Sequence, residues 1–408
     1  MRLSNKESKM LADKTVILGV TGSIAAYKAA DVASKLTQAG ARVEVVMTES
    51  ATRFITPLTL SSITGRPVVS SMWELTSEFN IEHVALAEAA DVVAITPATA
   101  NIMAHLVTGI ADDMLTCTVL ATKAPIVLAP AMDENMFKNP VTQENLAKLK
   151  ARGFVIVGPS YGRLASGKMG QGRLAEASQI LDTIKQVLGR SGDLAGRLVV
   201  VTAGGTREPI DPVRYIGNRS SGKMGYALAS AARDRGAEVK LITAVTSVTL
   251  LEPSGVGIIR VETALQMKKA VAKVVKGADA LIMAAAVADY QPQSASKVKI
   301  KKESPRLTIE LARTPDVLAE VKGNFVKVGF AAESEDIMAN AQKKLKEKRL
   351  DLIVANDITD KNSSFSSNTN KVTIISRKGK VESLPILTKK EVADRILDKV
   401  VGILDGKA

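Results

Sequence analysis

The sequence predicts an α/β protein of two doubly wound domains, each built on a mostly parallel sheet. Three observations carry this reading. Short β-rich apolar runs alternate with helical stretches along the chain. The alternation restarts after Gly189-Arg190-Ser191-Gly192-Asp193, which reads as a linker. A chain of 408 residues also exceeds what one ordinary core holds, so domains at 1–190 and 191–408 are expected.

In the first half, strands are expected at Lys14–Val20, Arg42–Thr48, Asp91–Thr96, Ala124–Ala129 and Phe154–Val157. After the first, Thr21-Gly22-Ser23 opens a helix expected to run to Gly40, and glycine turn plus helix start is a phosphate-binding geometry. It lacks the G-x-G-x-x-G spacing, and Met47-Thr48 stands where a dinucleotide site wants an acidic residue, so a tandem nicotinamide oxidoreductase is the weaker alternative. The third and fourth strands run into Pro97-Ala98-Thr99-Ala100-Asn101 and Pro130-Ala131-Met132-Asp133-Glu134-Asn135-Met136, at the sheet edge where open α/β folds bind ligands. Five glycines between Gly158 and Arg173 suggest a mobile flap. His105 and Cys117 sit among apolar helix formers and read as structural.

The second half is organised around L-V-V-V-T-A-G-G-T-R-E-P-I-D-P-V-R-Y-I-G-N-R-S-S-G-K-M-G, Leu198–Gly225. Its strand, Leu198–Thr202, and its helix, Met224–Arg235, are separated by a polar segment far longer than a plain βα loop of about 2–6 residues. That length and three arginines point to a site. Further strands are expected at Glu238–Thr243, Asp279–Ala286, Lys327–Phe330 and Asp351–Ala355. Gln291–Arg306 reads as an irregular basic loop with Lys297, Lys299, Lys301 and Lys302. A hairpin, Lys371–Ser376 with Lys380–Leu384, precedes a final helix opened by the capping box Thr388-Lys389-Lys390-Glu391.

Bulk properties narrow the function. No apolar run has transmembrane length, residues 1–13 show no signal-like apolar segment, and one cysteine forbids an intrachain disulfide, so a cytoplasmic protein without membrane contacts is expected. The net charge of +13 suits nucleic acid or anionic small substrates. With 3% aromatic residues no base-stacking platform is evident, which disfavours a basic nucleic-acid-binding protein.

The motif around Asn218 resembles the signature of the phosphopantothenate–cysteine ligases, and the first half resembles the phosphopantothenoylcysteine decarboxylases. Together they are similar to the fused, bifunctional family of coenzyme A biosynthesis over nearly the whole chain. The resemblance implies a flavodoxin-like flavoprotein fold in the first half, with FMN held by Gly22, Ser23, Thr48, Ala98, Thr99 and Asn101. It implies a catalytic His83 in an H-x-x-L context and a substrate-carboxylate loop at Met132, Asp133 and Asn135.

This chain departs from the family twice. Asp133 stands where asparagine is usual, so it is protonated, turns away, or is replaced in its role by Asn135. Ser166 stands where many relatives carry a cysteine proton donor, and a serine is a far weaker acid; it is expected to position a water or pass on a proton, with Lys168 nearby.

In the second half the resemblance implies nucleotide contacts at Asp289, Lys299, Pro315, Asp316, Val317, Leu318, Phe330, Lys344 and Lys348, with Arg214 and Asn218 handling the activated carboxyl. The implied substrates are 4′-phosphopantothenate, cysteine and CTP, with Mg2+ on the phosphates and no metal ligands assigned. Trimeric decarboxylase and dimeric ligase contacts, together a dodecamer, are implied as the homo-oligomer.

Overall fold

The computed structural model describes residues 10–73, 82–244, 252–301, 307–333, 337–357 and 367–406. The expected basic-loop residue Lys302 and the N-terminal residues 1–9 lie outside the described residues. The chain divides into two compact units, 1–189 and 190–408. Among the described residues no helix is long and apolar enough to cross a membrane.

The first unit is a six-stranded parallel sheet: β1 (Thr15–Val20), β2 (Arg42–Met47), β3 (Val68–Val69), β4 (Val92–Ala98), β5 (Ile126–Pro130) and β6 (Val155–Ile156). Spatial order is β3-β2-β1-β4-β5-β6, and all pairings are parallel. Without the two-residue edge strand β3 the order reduces to the flavodoxin-like 2-1-3-4-5. Every residue of β1, β4 and β5 is buried, as a parallel sheet covered on both faces requires. Two apolar clusters cover those faces, one holding Val32 and Leu36, the other Ile102 and Leu115.

The helix expected from Ser23 to Gly40 comes in two parts, a 3₁₀ turn Ile24–Lys28 and an α-helix Ala29–Gln38. The segment expected as a mobile flap takes the form of a β-hairpin, β7 (Ser160–Arg163) with β8 (Met169–Arg173). The five residues that connect them include Gly167 at φ 82°, a left-handed conformation that favours glycine.

The second unit opens with β9 (Leu198–Ala203) and a small antiparallel hairpin, β10 (Arg207–Pro209) with β11 (Tyr215–Gly217). Then follow β12 (Glu238–Thr243), β13 (Gly257–Arg260), β14 (Ala280–Met283), and a second small pair, β15 (Tyr290–Pro292) with β16 (Leu311–Arg313). The chain completes its sheet with β17 (Val326–Glu333), β18 (Leu352–Asp357), β20 (Val372–Ser376) and β21 (Val381–Ser383), while β19 (Thr369–Asn370) pairs with β22 (Leu387–Thr388).

The eight-stranded sheet has order β13-β12-β9-β14-β17-β18-β20-β21, parallel as far as β18 and antiparallel beyond it. Its parallel part repeats the 3-2-1-4-5-6 order of the first unit, the dinucleotide-fold arrangement. The strand expected to reach Ala286 stops at Met283, and the small residues that follow belong to the crevice loop. Helices Lys223–Asp234 and Lys389–Leu404 pack on one face, around Leu228 and Ile396. Helices Ala264–Val274, Val317–Glu320 and Ile337–Glu347 pack on the other, around Val271, Leu318 and Leu345. Thr388 and Glu391 form the expected capping box, a cap worth roughly 1 kcal/mol.

Both units lock their first and fourth strands in the same way. Asp91 pairs with Lys14 and accepts from Thr15 N, and Asp279 pairs with Arg197 and accepts from Leu198 N, each at 2.8 Å. An aspartate before the fourth strand thereby fixes the register at the opposite end from the crevice.

Candidate functional site

In the first unit the order reverses between β1 and β4, so the loops leaving these strands flank the crevice. Thr21 Oγ1 donates to Pro97 O at 2.7 Å and accepts from Thr99 N at 3.3 Å, drawing the two loops together. Ser23 caps the 3₁₀ turn by accepting from Ala25 N, and Thr99 caps the helix Ala100–Thr108 by accepting from Ile102 N. Both hydroxyls therefore sit at element N-termini along the carboxyl edge, with Asn101 exposed in the first turn of the second.

Gly22 is required by close approach: a Cβ there would lie 2.4 Å from Ser50 Cβ, just beyond Thr48. Two buried hydroxyls in this region, Thr48 Oγ1 and Thr96 Oγ1, have no hydrogen-bond partner among the described residues. Orphaned hydroxyls at the ends of β2 and β4, beside a glycine cradle, fit a polar ligand such as a phosphate-bearing flavin.

The loop after β5 is built onto the hairpin. Met132 N donates to Gly172 O at 3.0 Å and Gln171 N donates to Glu134 Oε1 at 3.3 Å. A Cβ on Gly172 would stand 2.1 Å from Met132 O, so only glycine permits this seam. Asp133 accepts from Asn135 N at 2.9 Å and caps the turn Glu134–Lys138. Of the three possibilities left open by the sequence, the carboxylate has turned to the backbone, a task aspartate and asparagine perform equally well.

Asn135 is exposed beside it. Ser166 is exposed in the hairpin connection, and His83 is half-buried in the first turn of the helix Glu82–Ala89. His105 faces Asp112 across 3.2 Å, and Cys117 Sγ lies 3.4 Å from Ala111 O. Burial, with Asp113 and Asp112 nearby, pushes the Cys117 thiol up, away from nucleophilic use.

The second unit holds a cavity of about 870 Å3 at its own switch point, between the loops after β9 and β14. The loops interlock: Ala286 N donates to Gly204 O at 2.8 Å, Ala288 N to Thr206 Oγ1 at 2.9 Å, and Asn218 Nδ2 to Val287 O at 2.9 Å. Asn218, Asp289, Pro315, Asp316, Val317, Leu318, Phe330, Lys344 and Lys348 all line this cavity. Asp316 caps the turn Val317–Glu320 through Ala319 N and pairs with Lys348 at 3.0 Å.

Two candidates lie elsewhere. Arg214 is absent from the cavity wall and is engaged with Asp211, its Nε at 3.0 Å and one terminal nitrogen at 2.5 Å. That nitrogen also donates to Ile300 O at 3.0 Å, while Ile300 N donates to Asp211 Oδ2 at 3.2 Å. The pair thus clamps the backbone beside Lys299, which is itself exposed and outside the lining. The Arg214 hydrogen bond holds the Asp211 carboxyl well below the usual carboxylate range. With its pKa depressed, the clamp is intact at neutral pH and is lost only as the solution becomes strongly acidic.

Sequence reasoning passed over Lys223, Asn370 and Lys389, which also line the cavity. Among the described residues no group of three or more His, Cys, Asp or Glu is placed to hold a metal ion.

Residues 4–189 match the family model described as Flavoprotein. Residues 194–404 match the DNA/pantothenate metabolism flavoprotein C-terminal domain. The chain is 44% identical over 400 residues to the coenzyme A biosynthesis bifunctional protein CoaBC of Bacillus subtilis (strain 168), covering 97% of this chain and 98% of the relative. It is 43% identical over 393 residues to the protein so named in Vibrio cholerae serotype O1, covering 95% and 98%. Among solved structures, the crystal structure of the C-terminal domain of a coenzyme A biosynthesis bifunctional protein CoaBC is 42% identical, covers 53% of this chain and 100% of that one, and has a TM-score of 0.46.

Proposed function

The chain belongs to the family of bifunctional coenzyme A biosynthesis proteins, and from that premise we propose that residues 191–408 ligate and residues 1–190 decarboxylate. The protein is an enzyme of coenzyme A biosynthesis with phosphopantothenate–cysteine ligase and phosphopantothenoylcysteine decarboxylase activities. The observation that carries the assignment of ligation is the second unit's cavity, which joins an amide, Asn218, to a cationic wall, Lys344 and Lys348.

A carboxylate is a poor electrophile and must be activated before an amine attacks it. In the proposed sequence a carboxylate oxygen of 4′-phosphopantothenate attacks the α-phosphorus of CTP and pyrophosphate leaves. The cysteine amine then attacks the acyl carbon, loses a proton and expels CMP. Lys344, Lys348 and Lys299 offset phosphate charge, and the second N–H of Asn218 faces the oxyanion. Mg2+ would arrive on the triphosphate, since such a cation needs only one or two protein carboxylates, and Asp289 and Asp316 are in the wall.

In the first unit Gly22, Ser23, Thr48, Ala98, Thr99 and Asn101 would hold FMN. When bound, FMN supplies an acceptor and donor of the electron pair on which loss of the carboxylate depends. His83 takes the thiol proton, an imidazole being suited to neutral pH. With Asp133 committed to its cap, Asn135 and the backbone around Met132 receive the substrate carboxylate. A cytoplasmic location and a homo-oligomer, trimeric through one unit and dimeric through the other, complete the proposal.

Full-length protein given 4′-phosphopantothenate, cysteine and CTP should release pyrophosphate and then carbon dioxide. Pyrophosphate without phosphopantothenoylcysteine would sink the ligase assignment. Lys299→Gln should cut pyrophosphate release by about 10- to 100-fold, the worth of one charged hydrogen bond. Arg214→Gln should reproduce much of that loss by releasing the clamp on Ile300. A wild-type rate in Lys299→Gln would move the nucleotide elsewhere.

Ser166→Ala tests the proton supply. A hydroxyl that relays a proton from water predicts slower 4′-phosphopantetheine formation while carbon dioxide release continues, and Ser166→Cys should remain active. Product formed by Ser166→Ala at the wild-type rate would reduce Ser166 to a turn residue.

A further inference from the structure

The second unit has another cavity, of about 700 Å3, at the amino edge of its sheet and so at the opposite end from the crevice. Its walls are the end of the helix Ala264–Val274 with the chain on to Asp279, and the segment 320–325 that leads into β17. Among the described residues, none lines both cavities. The volume suits a small molecule, whose sites span about 300–1,000 Å3.

The floor is apolar, with Val275, Ala278 and Val321 buried and Phe325 half-buried. Two neighbours hold the Phe325 ring in place. A Cβ on Gly323 would come within 2.3 Å of Phe325 Cε1, and the Lys327 ammonium stands 5.9 Å from the ring centre. Lys327 Nζ also donates to Leu318 O at 3.3 Å and to Val321 O at 2.8 Å, and so answers the negative end of the turn Val317–Glu320. At the end of the other helix, Ala278 N donates to Val275 O at 3.0 Å.

The charges of the wall are unequally matched. Asp279 is spent on Arg197 and Leu198 N, and Glu320 pairs with Lys268. Lys276 and Lys322, both exposed, have no carboxylate partner among the described residues. Two surplus ammonium groups beside a preformed apolar floor match a ligand of mixed character.

We propose that this cavity is a binding site for a small organic anion carrying an aromatic ring. The ring lies on Val275, Val321 and Phe325, and Lys276 and Lys322 hold the anionic group. Charge alone would leave the floor in water, and a ring alone would leave both ammonium groups without an anion, so the ligand needs both parts. It touches neither Asn218 nor the lysines of the crevice, and the site stands apart from the ligase chemistry.

Calorimetric titration of the full-length protein with 1-naphthyl phosphate tests the site, with CTP and FMN in excess to fill the proposed nucleotide and flavin sites. One saturable site per chain is expected. Inorganic phosphate has the charge without the ring, and 1-naphthol the ring without the charge; each should bind at least about 10-fold more weakly. Lys276→Glu and Lys322→Glu should each weaken 1-naphthyl phosphate by about 10- to 100-fold, the worth of one charged hydrogen bond. Ala272→Trp, at an exposed position of the wall, should block the cavity while keeping both cations. Pyrophosphate release at the wild-type rate is expected of all three variants and shows them folded. Equal affinity for inorganic phosphate or for 1-naphthol, an affinity that none of the variants lowers, or no saturable binding overturns the site.

Discussion

Asn218→Asp is expected to slow amide formation by about 10²- to 10³-fold, the usual cost of one oxyanion donor, while pyrophosphate is still released. The amide has two N–H groups, and one is spent on Val287 O at 2.9 Å. That bond fixes the plane of the amide and leaves the other N–H for the reacting carbonyl. The backbone is fixed too, because a Cβ on Gly205 would come within 2.4 Å of Asn218 O. Aspartate at this position donates nothing and repels negative charge as it develops. The acyl-nucleotide should therefore accumulate in quenched reactions of Asn218→Asp, and of Asn218→Ala to a similar degree. Amide formation at the wild-type rate would show that the oxyanion is held elsewhere.

Gly22→Asp should yield colourless protein whose affinity for FMN is weaker by about 100-fold or more. Overpacking alone costs about 1–3 kcal/mol, equivalent to about 5- to 150-fold in binding, and a carboxylate facing a phosphate adds to it. The added Cβ would meet Ser50 Cβ at 2.4 Å and Ser50 C at 3.0 Å, so backbone has to move. Gly22→Ala isolates the steric part, and Asn101→Asp the charge. Visible absorbance of the purified protein and an FMN titration measure the loss. A yellow Gly22→Asp protein that binds FMN normally would place the flavin away from this turn.

Much of the fold is written in local pattern. Glu238–Thr243 alternates into a strand with the bounds expected of it, and Thr388 with Glu391 announces a helix start. What local pattern does not carry is structure held by distant partners. The segment after β9 reads as loop because its strands are three residues long, yet they form a hairpin. There Glu208, 1% exposed, accepts from Ala264 N at 2.8 Å, and the Arg207 guanidinium lies 4.5 Å from the centre of the Tyr215 ring.

The candidate sites show the same division. Gly22 and Thr99 stand at strand ends, where the order of the sheet delivers them to a crevice, whereas Asn218 follows the small hairpin strand β11 and is brought to its crevice by the bond to Val287 O. Arg214 is expected, by resemblance, to handle the activated carboxyl, and only the fold reveals that Asp211 and Ile300 engage it. Lys389 enters the sequence reading only within the capping box, and nothing in its neighbours in sequence announces its contacts with Ser367 and Asn368. The D-x-x-R spacing of Asp211 and Arg214 was the one available hint, an i to i+3 pair close enough to close on itself.

The ends of both sheets carry a consequence for how copies of this protein can meet. The first sheet ends on β3 and β6, two residues each, and the second on β13 and β21, of four and three. Edges so short offer no ladder of unpaired N–H and C=O groups long enough to recruit a foreign strand. At these two sheets, among the described residues, association of folded copies is thereby left to side-chain surfaces, which can be specific and reversible. Strand addition to either large sheet would first require its edge to unfold, so a concentrated stock should stay clear until it is heated toward its transition.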